Sequence, residues 1–196
     1  IALDTADGRV ARWTRTESAF GAQYDSLSDM VAFGVAPALV AFSWGLASLG
    51  QVGWVVTFLY MACAALRLAR YNTKGDNESF TGLASPSAAA MVACAVWVWH
   101  DSLAGSPSVG AASAMGVLVA IAALLMVSNF SYFSPKLFSV KGRVPFVTLV
   151  LVVLGFALVL ADPPKVLLTM SIGYALSGPL QALWQWSRKS GNDGEV

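Results

Sequence analysis

Long stretches without a charged residue constrain this chain more than any other feature. Asp, Glu, Lys and Arg are absent from residues 30–66, 79–100, 102–135, 144–161 and 166–187. A membrane-spanning helix needs about 20 mostly apolar residues, and the first of these windows is long enough for two such helices. Only 12% of the residues are charged and 57% are hydrophobic. The sequence therefore predicts an all-α, polytopic membrane protein.

The predicted helices follow from these windows and from local signals at helix ends. Residues 1–12 are predicted to end one helix, and six full spans follow at about 22–48, 52–71, 86–102, 109–128, 144–161 and 164–186. Ser85-Pro86 and Asp162-Pro163-Pro164 are typical helix starts, because a capping side chain precedes proline at the first helical position. Pro37 and Pro179 lie inside spans and are predicted to kink them, which neighbouring helices tolerate in a membrane.

The ends of the chain carry two further expectations. Ile1-Ala2-Leu3 resembles the last turn of an apolar helix and has no preceding methionine, so we expect an N-terminal portion before it. Residues 1–186 are predicted to form one membrane domain, and residues 187–196 a polar cytoplasmic tail. The net charge of +1 provides no broad basic surface for nucleic acid.

Basic residues set the predicted orientation, because cytoplasmic loops of membrane proteins carry an excess of Lys and Arg. Alternating the connections places residues 4–21, 67–80, 129–143 and the C-terminus on one side of the membrane. That side holds every Lys and Arg of the chain except Lys165. We therefore predict a multi-pass inner-membrane protein whose N-terminal acidic segment faces the cytoplasm.

That acidic segment has a regular spacing, D-x2-D-G-x2-A-R-x8-G-x3-D-x3-D. Its fixed positions are Asp4, Asp7, Gly8, Ala11, Arg12, Gly21, Asp25 and Asp29. Carboxylates at the edge of membrane spans are costly unless they have a function such as holding metal ions. Asp4 and Asp7 share one helix face, and Asp25 and Asp29 share another. Oxygen ligands of this kind suit Mg²⁺ or Mn²⁺, and Arg12 carries a planar fork suited to phosphate.

This pattern resembles the signature of the CDP-alcohol phosphatidyltransferases, and none of its positions departs from it. The resemblance implies two divalent cations, Mg²⁺ or Mn²⁺, with Asp4, Asp7, Asp25 and Asp29 as their ligands. It also implies that Asp29 is the catalytic base. Nucleotide and phosphate contacts are expected at Asp4, Gly8, Ala11, Arg12 and Gly21.

Three further segments resemble those of family members that use serine, namely residues 65–72, 80–90 and, more weakly, 127–132. The resemblance implies transfer of a phosphatidyl group from CDP-diacylglycerol to the hydroxyl of L-serine, with phosphatidylserine and CMP as products. It also implies a homodimer in the lipid membrane. Other acceptors remain open, among them glycerol phosphate, an inositol phosphate and choline. A transporter with an intramembrane acidic site is a further alternative, which predicts ionisable residues at mid-membrane in several spans.

Arg67, Arg70 and Asn72 lie at the cytoplasmic end of a predicted span, on the side of the aspartates. The arginines are predicted to bind an anion, either the carboxylate of serine or a lipid phosphate, and Asn72 to add a hydrogen bond to the amino acid. Alternatively, the arginines extend to the membrane interface without a ligand. Asn129 is either a helix cap or part of the same site.

Overall fold

The computed structural model of the protein describes residues 18–74, 82–102, 105–130, 132 and 146–192. Its principal helices are α1 (Ala19–Trp44), α2 (Gln51–Lys74), α3 (Ser85–Ser102), α4 (Val109–Val127), α5 (Phe146–Ala161) and α6 (Pro163–Asn192). A short 3-10 turn, Leu46–Leu49, joins the first two. No strand occurs in the described residues, so the all-α prediction is confirmed there.

Three of these helices are long and apolar enough to cross a membrane, judged over the described residues: Ala19–Trp44, Gln51–Thr73 and Val109–Val127. Val153–Ala161 and Pro163–Ala182 meet at a bend of 116° and add a fourth candidate if the pair counts as one span. Helix α3 has polar residues at both ends, which leaves its apolar part short of the about 20 residues that a span needs. A membrane protein is therefore supported, whereas the count of six spans stays a prediction.

Local chemistry sets the helix ends. Ser18 caps α1, since its hydroxyl oxygen accepts a hydrogen bond from the Gly21 N–H at 3.0 Å. Gly50 has a φ of +60° at the turn before α2, a conformation that glycine adopts without steric cost. Helix α6 begins at Pro163 directly after Asp162, as the Asp-Pro-Pro sequence predicts. The Asp162 carboxylate accepts a hydrogen bond from Lys165 at 2.7 Å.

The helices pack through small side chains. Helix α2 lies mainly against α4, α3 lies against α6, and α1 contacts both α2 and α3. The fully buried positions include Ala38, Ala41, Ala64, Ala88, Ala122 and Ala123. Small residues let helix backbones approach closely, which is how helices associate where lipid removes the hydrophobic driving force. This packing brings the ends of α1, α2, α3 and α4 together around the candidate site.

Helix α1 changes its winding directly after Asp29. Residues Met30–Val35 form a π-helical segment, and the α-helix resumes at Ala36, followed by Pro37. A widened turn therefore lies directly on the N-terminal side of Pro37, and the kink expected at this proline stays a prediction. Insertions of this kind in α-helices are frequent at functional sites, and this one immediately follows a predicted metal ligand.

Candidate active site

The described part of the aspartate pattern lies on the first turns of α1. Gly21, Asp25 and Asp29 follow one another at intervals of four residues, so they share one face of the helix. Asp25 is exposed and Asp29 is partly buried. The other predicted ligands and phosphate contacts, Asp4, Asp7, Gly8, Ala11 and Arg12, lie outside the described residues. The predicted metal site is therefore described for two of its four carboxylates.

A hydrogen bond joins the aspartate helix to the end of α2. The side-chain amide of Asn72 donates to the Ser26 hydroxyl at 3.0 Å, and Ser26 lies between Asp25 and Asp29 in the sequence. Ser26 in turn donates to the carbonyl of Ala22 at 3.1 Å. The predicted acceptor segment on α2 therefore lies directly beside the helix that carries the aspartates.

Arg67 lies where α2 meets three other helices. Its Nη1 donates to the Ser85 hydroxyl at 2.9 Å, and Ser85 is buried at the start of α3. Asp29 on α1 and Tyr174 on α6 are close enough to interact electrostatically with the guanidinium group. The Nε atom of Arg67 is buried and has no hydrogen-bond partner among the described residues. Arg67 is thus held in place and keeps a donor for a further partner.

Arg70 connects α2 to the segment that follows α4. Its Nη1 donates to the side-chain carbonyl of Asn129 at 3.2 Å. The backbone on either side of Asn129 is fixed by the loop before α3, because Gly82 donates to the Phe130 carbonyl at 2.9 Å and Leu83 donates to the Leu125 carbonyl at 2.9 Å. Asn129 thus contacts Arg70, one of the predicted acceptor residues, and its part in a binding site stays a prediction.

Tyr132 ties the same segment to α6. Its hydroxyl donates to the Ala175 carbonyl at 3.1 Å, and its ring lies 5.3 Å from that of Tyr174. Burial raises the pKa of Tyr132 to about 12, so the phenol stays protonated at neutral pH and remains a donor. Since Tyr174 also interacts with Arg67, the two tyrosines connect α6 to the arginine site.

The donor set fits a divalent cation as far as it is described. Asp25 and Asp29 supply carboxylate oxygens, which Mg²⁺ and Mn²⁺ prefer to nitrogen or sulfur ligands. Within the described ranges, no group of three or more His, Cys, Asp and Glu side chains is placed to hold a metal ion. Because Asp4 and Asp7 fall outside those ranges, the four-carboxylate site stays a prediction.

Sequence reasoning singled out the arginines and Asn72, whose roles stay predictions, and missed several residues that contact or surround them. Ser26 and Tyr174 are the clearest cases. Ser26 had a usable signal, since it falls inside the D-x3-D spacing and a short polar side chain there can meet a neighbouring helix. Tyr174 lies in an apolar stretch of the last helix, where nothing local distinguishes it from a tyrosine that faces lipid.

The fold and the site agree with a defined class of membrane proteins. The model of the CDP-alcohol phosphatidyltransferase family matches residues 1–177, and this range includes the aspartate pattern, both arginines and Asn129. The chain belongs to the CDP-alcohol phosphatidyltransferase family, which confirms the resemblance inferred from the spacing of the aspartates.

Three similar proteins share one name, CDP-diacylglycerol–serine O-phosphatidyltransferase. The protein of Helicobacter pylori strain 26695 is 37% identical over 164 residues, which cover 81% of this chain and 67% of the relative. The Methanocaldococcus jannaschii protein is 36% identical over 135 residues, or 67% of this chain and 59% of the relative. The Mycobacterium tuberculosis H37Rv protein is 47% identical over 95 residues, or 44% of this chain and 33% of the relative.

Proposed function

We propose that this protein transfers a phosphatidyl group from CDP-diacylglycerol to the hydroxyl of L-serine, giving phosphatidylserine and CMP. Family membership and the shared name of the relatives support this reaction class. The structural observation that supports an anionic acceptor is the position of Arg67, which is hydrogen-bonded to Ser85 and interacts electrostatically with Asp29. A fixed cation near the aspartate helix suits an acceptor that carries an anionic group, and the shared name of the relatives favours serine among such acceptors.

Recognition of serine is assigned to Arg67, Arg70 and Asn72. The serine carboxylate needs a cationic partner that the aspartates are unable to provide, and an arginine offers a planar fork for two parallel hydrogen bonds. Ser85 and Asn129 each take one donor of an arginine, which orients the guanidinium groups before the substrate arrives. Preorganisation of this kind reduces the entropy lost on binding.

The aspartates are assigned to two divalent cations, with Asp4, Asp7, Asp25 and Asp29 as ligands. The family is generally dependent on divalent metals. When bound, such ions polarise the phosphoryl group and stabilise the leaving oxygen. The nucleotide and its diphosphate are assigned to Asp4, Gly8, Ala11, Arg12 and Gly21.

In the proposed reaction, the serine hydroxyl oxygen attacks the β-phosphorus of CDP-diacylglycerol, and the bond from that phosphorus to the oxygen of CMP breaks. Asp29 accepts the hydroxyl proton as general base, and CMP leaves with the electron pair of the broken bond. Positioning of the two substrates and stabilisation of the developing charge account for most of the rate enhancement, as in other phosphoryl transfers.

The proposal places the site at the cytoplasmic surface of the inner membrane. The side chains of Leu27 and Val31 are 66% and 60% exposed on the same turns of α1 as Asp25 and Asp29, so this part of the helix also presents an apolar face, on a different side from the aspartates. The acyl chains of CDP-diacylglycerol reach the site laterally along such a face. The proposal includes the homodimer that the family resemblance implies.

The test is CMP release by the purified protein in mixed micelles containing CDP-diacylglycerol and Mg²⁺ or Mn²⁺. We expect release to depend on L-serine and phosphatidylserine to form in equal amount, as measured by mass spectrometry. Glycerol 3-phosphate, an inositol phosphate and choline are assayed in parallel at the same concentration. Preference for one of these alcohols would overturn the assignment of serine, and the Asp25→Asn variant controls for contaminating activity.

A further inference from the structure

Two prolines interrupt hydrogen bonding inside the long helices α1 and α6. Pro37 and Pro179 have no N–H to donate. In the α-helical α6, Pro179 therefore leaves the carbonyl four residues earlier, that of Ala175, without its helical donor. In α1, Pro37 follows the π-helical segment Met30–Val35, which contains Phe33 and in which the Ala36 N–H bonds five residues back to Val31. A backbone carbonyl without a donor is costly in a membrane, where water is unavailable to replace it. Near each proline, a side chain from another segment can therefore stabilise the helix by donating a hydrogen bond to a backbone carbonyl.

At each of the two prolines, the hydroxyl of a tyrosine from another segment makes such a hydrogen bond. The Tyr60 hydroxyl donates to the Phe33 carbonyl at 3.2 Å, and the Tyr132 hydroxyl donates to the Ala175 carbonyl at 3.1 Å. Tyr60 is completely buried and Tyr132 is 5% exposed. The same pairing thus occurs twice, once between two helices and once between a helix and the segment after α4.

The surface of α6 that receives Tyr132 accommodates the aromatic ring as well as the hydroxyl. A Cβ atom added to Gly178 would lie 2.7 Å from Cε1 and 2.8 Å from Cε2 of Tyr132, closer than such atoms approach without displacement. Glycine at this position therefore leaves the space that the ring fills. Together with the freed carbonyl of Ala175, it forms a recess on α6 that fits tyrosine.

The residue held by this anchor is Asn129. Its amide oxygen accepts from Arg70, and Asn129 itself is exposed, so its own packing does little to fix it. Anchors lie on both sides of it. Leu125 accepts from Leu83 on the N-terminal side, and on the C-terminal side Phe130 accepts from Gly82 and Tyr132 binds α6. The position of Asn129 is consequently set by these anchors.

We propose that Tyr132, bound to the carbonyl that Pro179 frees, is a positioning residue that holds Asn129 against Arg70 in the acceptor site. This inference rests on the proposed function. Tyr132 acts through Asn129 and Arg70 and makes no contact with substrate. Loss of its hydroxyl therefore impairs binding of the acceptor more than binding of CDP-diacylglycerol.

The test compares Michaelis constants for the two substrates in Tyr132→Phe, which keeps the ring and removes the donor. We expect the KM for serine to rise about 3- to 10-fold, the effect of one net hydrogen bond, while the KM for CDP-diacylglycerol changes by less than about twofold. Tyr60→Phe is the matched comparison, because it removes a buried hydroxyl at the other proline, where it contacts α1 just beyond Asp29. It should lower kcat rather than raise the serine KM.

A double variant tests the route through Asn129. Asn129→Ala should raise the serine KM, and adding Tyr132→Phe should raise it no further, because residues that act in one network are not additive. The positioning role would be overturned if the increases in serine KM of the two single variants multiplied in the double variant. It would also be overturned if Tyr132→Phe left the serine KM unchanged. The acceptor screen on the wild-type protein tests the proposed use of serine separately from the positioning role of Tyr132. Failure to use serine refutes the proposed function, and the positioning role is then judged from the KM of the alcohol that is used.

Discussion

The hydroxyl of Tyr60 donates a hydrogen bond to the carbonyl of Phe33 at 3.2 Å across the interface between α2 and α1. Phe33 belongs to the π-helical segment Met30–Val35, which starts directly after Asp29. Pro37, which follows this segment, has no N–H to donate to the helix backbone, and Tyr60 supplies a side-chain hydrogen bond in the same stretch. The contact therefore fixes α1 just beyond a predicted metal ligand.

Removing this hydroxyl should destabilise the helix bundle. We expect Tyr60→Phe to lower the free energy of unfolding by about 1 kcal/mol, because a partly buried carbonyl loses the donor that the buried tyrosine supplies. In a Pro37→Ala background, alanine restores the N–H and the same change should cost less. The measurement is denaturant unfolding in micelles of the wild type, Tyr60→Phe, Pro37→Ala and the double variant. Tyr24→Phe, at a side chain that is 64% exposed, serves as control, and equal losses in both backgrounds would contradict the role of the proline.

Helix positions were predictable from the sequence because absence of charge is a strong signal in a membrane protein. The predicted span at 52–71 corresponds to Gln51–Lys74, and the one at 109–128 to Val109–Val127. Polar helix ends were harder to place. Helix α1 begins at Ala19 rather than near residue 22, since Ser18 caps it, and this serine is one of several polar residues that precede Gly21.

The contacts that build the site were not predictable, because each joins residues far apart in the chain. The positive-inside pattern placed Asn72 on the side of the aspartates, but it carried no information that Ser26 would be its partner. Pro179 was visible as a break in hydrogen bonding inside a span. The donor that compensates for it, Tyr132, lies in a different segment, and only the packing of the helices brings it there.

The carboxylate-only pattern predicts a specific metal dependence. EDTA should abolish activity, and Mg²⁺ or Mn²⁺ should restore it, because both prefer oxygen ligands, whereas Zn²⁺ favours nitrogen and sulfur and should not. The measurement is serine-dependent CMP release after chelation and addition of each metal. Full activity in the presence of chelator would contradict the proposed two-metal site.

Substitutions of the aspartates should separate ligand from base. Asp4→Asn, Asp7→Asn and Asp25→Asn should weaken binding of metal and CDP-diacylglycerol as well as turnover. Asp29→Asn should retain more binding of the nucleotide lipid while losing about 10² or more in rate, the usual contribution of a positioned base. Binding of CDP-diacylglycerol and kcat are measured on the same preparations. Normal turnover in Asp29→Asn would contradict its assignment as base.

Lysine substitutions test the arginines, because lysine keeps the charge but loses the planar fork. We expect Arg67→Lys or Arg70→Lys to raise the KM for serine and leave that for CDP-diacylglycerol largely unchanged. A contact with the lipid phosphate would produce the opposite pattern. Ser85→Ala is a useful companion to Arg67→Lys, since it removes the hydroxyl that accepts from Arg67 and keeps the arginine itself. The comparison requires both KM values for each variant.

Asn72 has two possible roles, contact with serine and connection of α2 to α1 through Ser26, and a matched pair of variants separates them. Asn72→Ala removes the amide, whereas Ser26→Ala removes only its partner in the 3.0 Å hydrogen bond. If Asn72 binds the amino acid, Asn72→Ala should raise the serine KM about 3- to 10-fold, as expected for one hydrogen bond. Ser26→Ala should then have a smaller effect, because it leaves the amide free to reach the substrate. Equal increases in both variants would show that the hydrogen bond between the helices is what matters. An unchanged serine KM in both would exclude Asn72 from serine binding; only if Arg67→Lys and Arg70→Lys also left it unchanged would the acceptor pocket lie elsewhere, around Ser85 or Asn129.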